Sequence, residues 1–336
     1  MLDRRTHGRK GPAGVVSSVS NASKRETFVP VYLVTGFLES GKTSLIHNML
    51  SDEGFSRGQR TMILCCEEGI EEYDEALLKK GNATVVMLED PSELDTNRLI
   101  ELTRQHKPER VIMEYNSMWT IELLARTPMP MSWRMVQVIT MADATTFDTY
   151  MTNMRKLLTD PMKEADLVLV NRCRPEHPKS PWRRQIRALN PRCNIIFENV
   201  DGSTEDGVAD EDLPYDMKAA IIDIPEEQMG TFYIDTMEHP ERYANKTVRL
   251  VGEYFQEKGL PPGYALFGRL AMTCCADDIA QVGWICQHKR LYGKGVFARL
   301  TAKCQVMQEG GQSMLMFEEL SSEKAPAPKE EYMTFN

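Results

Sequence analysis

No run of this 336-residue sequence stays apolar for the ~20 residues that a membrane-crossing helix needs; its uncharged stretches are only strand-sized. No membrane span is expected. Residues 1–27 lack the continuous apolar segment of a secretory signal and, being rich in Arg, Lys, Ser and Gly, read as a disordered basic tail. An excess of positive charge is also missing: 40 Lys and Arg face 49 Asp and Glu, and a formal net charge of -9 argues against nucleic acid as a partner. There is no internal repeat, and no Ser-His-Asp or Cys-His arrangement has the local context of a nucleophilic site. With no export signal, the eight cysteines point to a reducing, cytoplasmic setting, where thiols stay free or hold metal rather than form disulfides.

What is present divides in two, as the length favours. Between residues 28 and 224, short β-branched and apolar runs at 31–35, 61–66, 83–88, 110–115, 135–143, 166–171 and 194–198 alternate with helical patterns at 42–50, 92–105, 145–158 and 182–189. Such alternation predicts an α/β domain whose doubly wound, mostly parallel sheet is covered by helices. Residues 201–212 are acidic and poor in apolar side chains, as a boundary loop would be. From 230 to 320, strand-like runs follow one another with turn residues between them and little helix, the pattern of a small all-β barrel. The charged, Pro-containing residues 321–336 read as a second disordered tail.

The strongest motif follows the first strand: Gly36-Phe37-Leu38-Glu39-Ser40-Gly41-Lys42-Thr43, with the helical Ser44-Leu45-Ile46 after it. A strand, a glycine-bounded loop and a helix N-terminus present inward amides and positive character to a polyphosphate. Gly36 and Gly41 allow the tight backbone course, and the amides of Glu39, Ser40 and the first helical turn to Ser44 line the loop. Lys42 reaches the outer phosphates, and the Thr43 hydroxyl ligates magnesium. The first domain is thus expected to be a P-loop nucleoside-triphosphatase.

The stretch GFLESGKTSL resembles the loop of the CobW-type GTPases, relatives of the nickel-handling HypB and UreG proteins, and later segments fall in that family's order. Cys66-Glu67-Glu68-Gly69 stands at its Asn-Glu-x-Gly switch, Glu114-Tyr115-Asn116-Ser117 at its Glu-x-x-Gly motif, Met141-Ala142-Asp143-Ala144 at the next strand end, and Asn171-Arg172-Cys173-Arg174 at its base-reading Asn-Lys-x-Asp. The resemblance covers about residues 28–200. It implies magnesium-dependent GTP binding and hydrolysis, with ATP as the alternative, coupled to delivery of a metal ion to a client protein, and a homodimer as one assembly. Under it, Lys42 stabilises the transferring phosphoryl group, Glu67 and Glu114 hold magnesium or orient the attacking water, and Asn171 contacts the base. Asp143 either serves the site or caps the next helix.

Three departures bear on that reading. Arg174 stands where an acid would pair with guanine, and a guanidinium accepts no hydrogen bonds, so guanine specificity is open. The family's Cys-x-Cys-Cys stretch is replaced by Leu88-Glu89-Asp90-Pro91-Ser92-Glu93. Ser117 replaces a glycine that lets the backbone approach the γ-phosphate, which is expected to slow hydrolysis.

In the second domain, residues 267–278 with Val282-Gly283, and the stretch 240–252 before them, resemble YcgQ-like bacterial proteins; 240–252 also looks like the first strand of an OB-type barrel. Cys274 and Cys275, with Asp277 and Asp278 and with Cys286 or Cys304 folded alongside, offer a zinc site. Against it, neighbouring side chains in a strand point to opposite faces, and buried cysteine is a common core residue. Cys65 and Cys66 form the other candidate pair. The function expected from these parts is nucleotide hydrolysis coupled to zinc handling. Its rivals are a non-hydrolysing nucleotide-binding adaptor and a thiol-based metal store or sensor.

Overall fold

The computed structural model describes residues 28–335 apart from 57, 68–72, 206–212, 274–277 and 310, and divides into two compact units. One takes in residues up to 177 together with 192–205; the other takes in 178–191 and everything from 206 onward. The basic stretch 1–27 lies outside the described residues.

The first unit runs β1 (Val29–Thr35), α1 (Lys42–Ser51), α2 (Glu53–Ser56), β2 (Thr61–Cys65), α3 (Glu75–Lys80), β3 (Ala83–Met87), α4 (Thr96–His106), β4 (Arg110–Glu114), α5 (Ile121–Arg126), β5 (Trp133–Asp143), α6 (Phe147–Asn153), α7 (Arg155–Glu164), β6 (Leu167–Cys173), β7 (Asn194–Asn199) and β8 (Thr204–Glu205). The sheet order is β3-β2-β4-β1-β5-β6-β7-β8, parallel throughout except for β8, which runs antiparallel to β7. This is the predicted α/β sheet. Strands β2 and β4 are buried at every position, as strands covered on both faces must be. Alternate residues feed two cores: Leu33, Leu64 and Met113 belong to one, Val34, Ile63 and Ile112 to the other. From β1 the chain crosses to β2 on one side of the sheet and from β5 it goes on to β6 on the other, so the crevice at the C-terminal ends of β1 and β5 is a topological switch point, where open α/β sheets take their ligands. The helical pattern at 145–158 is broken at Met154, whose backbone (φ -133, ψ 35) leaves the helical region and separates α6 from α7.

The second unit contains α8 (Lys179–Leu189), β9 (Ile222–Asp223), α9 (Met229–Glu238), β10 (Thr247–Phe255), β11 (Tyr264–Ala271), β12 (Ala280–Gln287), β13 (Ala298–Glu309) and β14 (Gln312–Lys324). Strand β10 pairs with β11, β11 with β12, β12 with β14, β14 with β13, and β13 again with β10, so five strands close on themselves; β12 and β14 are the parallel pair in the ring. Closure leaves no long free edge among these strands. Phe232, Phe267, Phe317, Trp284, Cys286 and Cys304 fill the core.

Two expectations are corrected here. Helix α8, predicted among the helices of the first domain, clusters with the second unit, where Arg183 and Arg187 both pair with Glu238 of α9. Residues 321–336 do not read as disorder: β14 runs through Ser321 to Lys324, Met333 pairs with Ala271 and donates its N–H to Leu270 O at 2.8 Å, and Met333 and Phe335 are buried. Polar residues on an outward-facing strand disguised its length, and two apolar side chains were enough to fix the end of the chain. Among the described residues no helix is long and apolar enough to cross a membrane.

Candidate functional site

Strand β1 delivers the chain at Thr35 to the loop 36–41, and α1 begins at Lys42. Gly36 and Gly41 have φ of 143 and 90, and Gly41 is the left-handed residue that opens α1. A Cβ at Gly41 would stand 2.4 Å from Asn171 Nδ2, so the amide would have to shift, and the positive φ is strained for any other residue. Glu39, also left-handed at φ 62, completes the turn. The loop feeds directly into the first turn of α1, where Thr43 and Ser44 lie, and a helix N-terminus favours an anion through its dipole and outward-pointing amides.

Lys42 is folded into this loop rather than extended from it, at 3% exposure. Its Nζ donates to Gly36 O at 2.9 Å and Phe37 O at 2.8 Å, and lies 2.5 Å from Glu67 Oε2. The Thr43 hydroxyl donates to Glu114 Oε1 at 2.7 Å. Glu114 closes β4, beside both β1 and β2, and its Oε2 accepts from the Tyr73 hydroxyl at 2.5 Å and the Cys65 thiol at 3.4 Å. The two acids read from the sequence thus divide the site: Glu67 faces the lysine and Glu114 faces the threonine.

Ser117 has a use that its replacement of glycine did not reveal, since its Oγ accepts the Gly36 N–H at 2.9 Å. Asn171 donates from Nδ2 to Ser40 O at 2.8 Å, while its Oδ1 and the Ser40 hydroxyl are both buried without a hydrogen-bond partner. Arg172, left-handed at φ 53, donates to Glu39 O at 2.8 Å and pairs with Asp143, whose Oδ1 also accepts from the Thr145 N–H and hydroxyl. Asp143 is therefore a turn-forming brace. Burial raises its carboxyl, but Thr145 and Arg172 outweigh that and hold it below the usual carboxylate range. A cleft of about 150 Å³ opens beside the loop, where Phe37 stacks on Tyr150 with ring centroids 4.2 Å apart.

The thiols fall in different surroundings. Burial, and then the Glu114 carboxylate, push Cys65 up to about 12, and burial also raises Cys66, which packs with Leu88 and Tyr115. Cys286 and Cys304 are interior residues of the strand ring, each pushed up to about 12, with burial the largest cause. Cys274, Cys275 and Asp277 lie outside the described residues, as do Glu68 and Gly69 of the switch. Among the described residues no group of three or more His, Cys, Asp or Glu is placed to hold a metal ion. Tyr73 was missed because no motif carries it. His47, on α1, packs edge-on against its ring at 5.4 Å.

The profile of the CobW/HypB/UreG nucleotide-binding domain matches residues 30–197, and that of the DUF1980 C-terminal domain matches residues 201–333. Among solved structures, the hydrogenase maturation factor HypB from Archaeoglobus fulgidus is similar at 14% identity over 55% of this chain and 87% of its own, with a TM-score of 0.38. The Zn(II)-bound YjiA GTPase from E. coli is similar at 16% identity over 72% of this chain and 86% of its own, also with a TM-score of 0.38. No curated protein matches the chain.

Proposed function

The chain belongs to the CobW/HypB/UreG family through its nucleotide-binding domain, and from that premise we propose that it is a cytoplasmic, magnesium-dependent nucleoside-triphosphate hydrolase whose turnover is coupled to handling of a metal ion. The observation that carries this reading is the meeting of Lys42, Thr43 and Glu114 at the C-terminal edge of the parallel sheet, on an anion-binding helix N-terminus. Lys42 and the loop amides bind and orient the phosphates and oppose the charge that develops on them. The Thr43 hydroxyl and Glu114 carboxylate are hard oxygen donors side by side, a set suited to magnesium, which when bound supplies further neutralisation of phosphate charge. Asn171 and Arg172 brace the loop from the side on which the base is read.

GTP is the proposed nucleotide and ATP the alternative, because Arg174 provides no acceptor for guanine. The second unit, whose ring we read as an OB-type barrel, would sense the metal or bind a client protein. Zinc is the proposed ion, with Cys274 and Cys275 as ligands, since adjacent thiolates near carboxylates favour it.

Single-turnover phosphate release tests the hydrolase: release by the native chain that is lost in Lys42→Ala supports it. Nucleotide bound without release favours the second reading, a non-hydrolysing adaptor, which draws on Ser117 holding the Gly36 N–H. Parallel titrations with GTP and ATP decide the base. Elemental analysis of protein purified without chelators, before and after Cys274→Ser and Cys275→Ser, decides the metal.

A further inference from the structure

The Lys42 ammonium has three hydrogens and already faces three acceptors: Gly36 O at 2.9 Å, Phe37 O at 2.8 Å and Glu67 Oε2 at 2.5 Å. The lysine side chain is 3% exposed and the glutamate 10%, so water offers little compensation to either partner if the pair is broken. A phosphate that is to be held by Lys42 must take over one of these three places. The two carbonyls are part of the loop that would wrap the phosphate, fixed by the same turn that sets the amides. Glu67 stands beyond the end of β2, and its carboxylate is the one acceptor carrying the same sign of charge as a phosphate. It is also the acceptor that electrostatic repulsion would remove first.

We propose that Glu67 gates the loop: its carboxylate and the terminal phosphate of a nucleoside triphosphate compete for the Lys42 ammonium, so binding expels the carboxylate from the lysine. This rests on the nucleotide reading given above and adds how access to that site is regulated. Displacement of Glu67 is felt next at Cys65, whose thiol donates to the Glu67 carbonyl at 3.1 Å as well as to Glu114. The gate therefore connects phosphate occupancy to the end of β2, and Glu67 acts through Lys42 as a positioning residue.

Equilibrium titration of the full chain and of Glu67→Gln, with GTP and with ATP, separates this from the other role open to the carboxylate. Each titration is run once with excess magnesium and once with a chelator. Removal of a like-charged competitor is expected to tighten binding by about tenfold or more in both conditions. A carboxylate that holds magnesium gives the opposite pattern, weaker binding with magnesium and no change without it; that result, or equal affinities throughout, overturns the gate while leaving the nucleotide site standing. If neither protein binds either nucleotide, the nucleotide reading falls and the gate with it. A thermal melt of Glu67→Gln shows that the variant is folded, and binding by Glu67→Gln alone supports a gate that is closed more tightly still.

Discussion

Thr43 donates its hydroxyl hydrogen to Glu114 across 2.7 Å and so ties the first turn of α1 to the end of a strand 71 residues further along the chain. The same carboxylate takes the Tyr73 hydroxyl and the Cys65 thiol on its other oxygen. Glu114 is 4% exposed, so water is poorly placed to replace it as an acceptor.

Replacing Glu114 by alanine is expected to remove the acceptor of the Thr43 hydroxyl and the short hydrogen bond from Tyr73, while Cys65 keeps the Glu67 carbonyl, and to cost about 3 kcal/mol of stability. Glu114→Gln keeps a carbonyl oxygen in place and should cost less. Phosphate release is expected to drop about 100-fold or more in both. Urea denaturation and a phosphate-release assay, run together on the two variants, separate the structural share from the chemical one.

Gly41→Ala tests the loop. Its φ of 90 is strained for any other residue, by about 1–2 kcal/mol, and the added Cβ collides with Asn171 Nδ2. The Asn171 to Ser40 hydrogen bond should break with it. Nucleotide affinity, measured by titration, is expected to fall further than the loss of stability alone explains, because the turn that aims the amides is deformed.

The Asp143 carboxyl, held low by Thr145 and Arg172 against its burial, gives a dependence on pH with a fixed sign. A carboxyl depressed in the folded state adds stability above its unfolded pKa of about 3.9 and loses it as pH falls through the folded value. Arg172→Ala should therefore lower the urea midpoint at pH 7, and its difference from the native chain should shrink as pH falls below about 4. A difference that is constant across that range would sink the assignment of Arg172 to Asp143.

Phe335, near the end of the chain, is 5% exposed in the core of the second unit. Phe335→Ala is expected to destabilise that unit by about 3 kcal/mol. Leu38→Ala, at a loop side chain 49% exposed, should stay within about 0.5 kcal/mol of the native chain. Denaturant unfolding of both variants checks the contrast.

The phosphate loop was legible because its chemistry sits in consecutive residues: strand, Gly36, Gly41, Lys42 and Thr43 need only local geometry to act together. The parallel sheet was legible for a similar reason, since strands such as β2 and β4 carry their apolar side chains in one short run. The bracing contacts were not. Tyr73 meets Glu114 over 41 residues, Ser117 meets Gly36 over 81, and Arg172 meets Asp143 over 29. Each depends on strand order, which periodicity does not encode. Arg172 was seen in the sequence only as part of a base-reading motif that lacks its acid, yet it holds the loop through Glu39 O. The division of labour between Glu67 and Glu114 was hidden as well, because two carboxylates at neighbouring strand ends look alike until the lysine is seen to turn back.

The excursion of residues 178–191 carries a practical consequence for anyone dissecting this chain. The polypeptide leaves the first unit after His177, contributes α8 to the second, and returns at Arg192 to supply β7 and β8 before leaving for good. A single cut near residue 205 would strand an orphan helix on the N-terminal fragment and deprive Glu238 of both its arginines on the other. Only a circular rearrangement or an internal excision can deliver each half with all of its own elements.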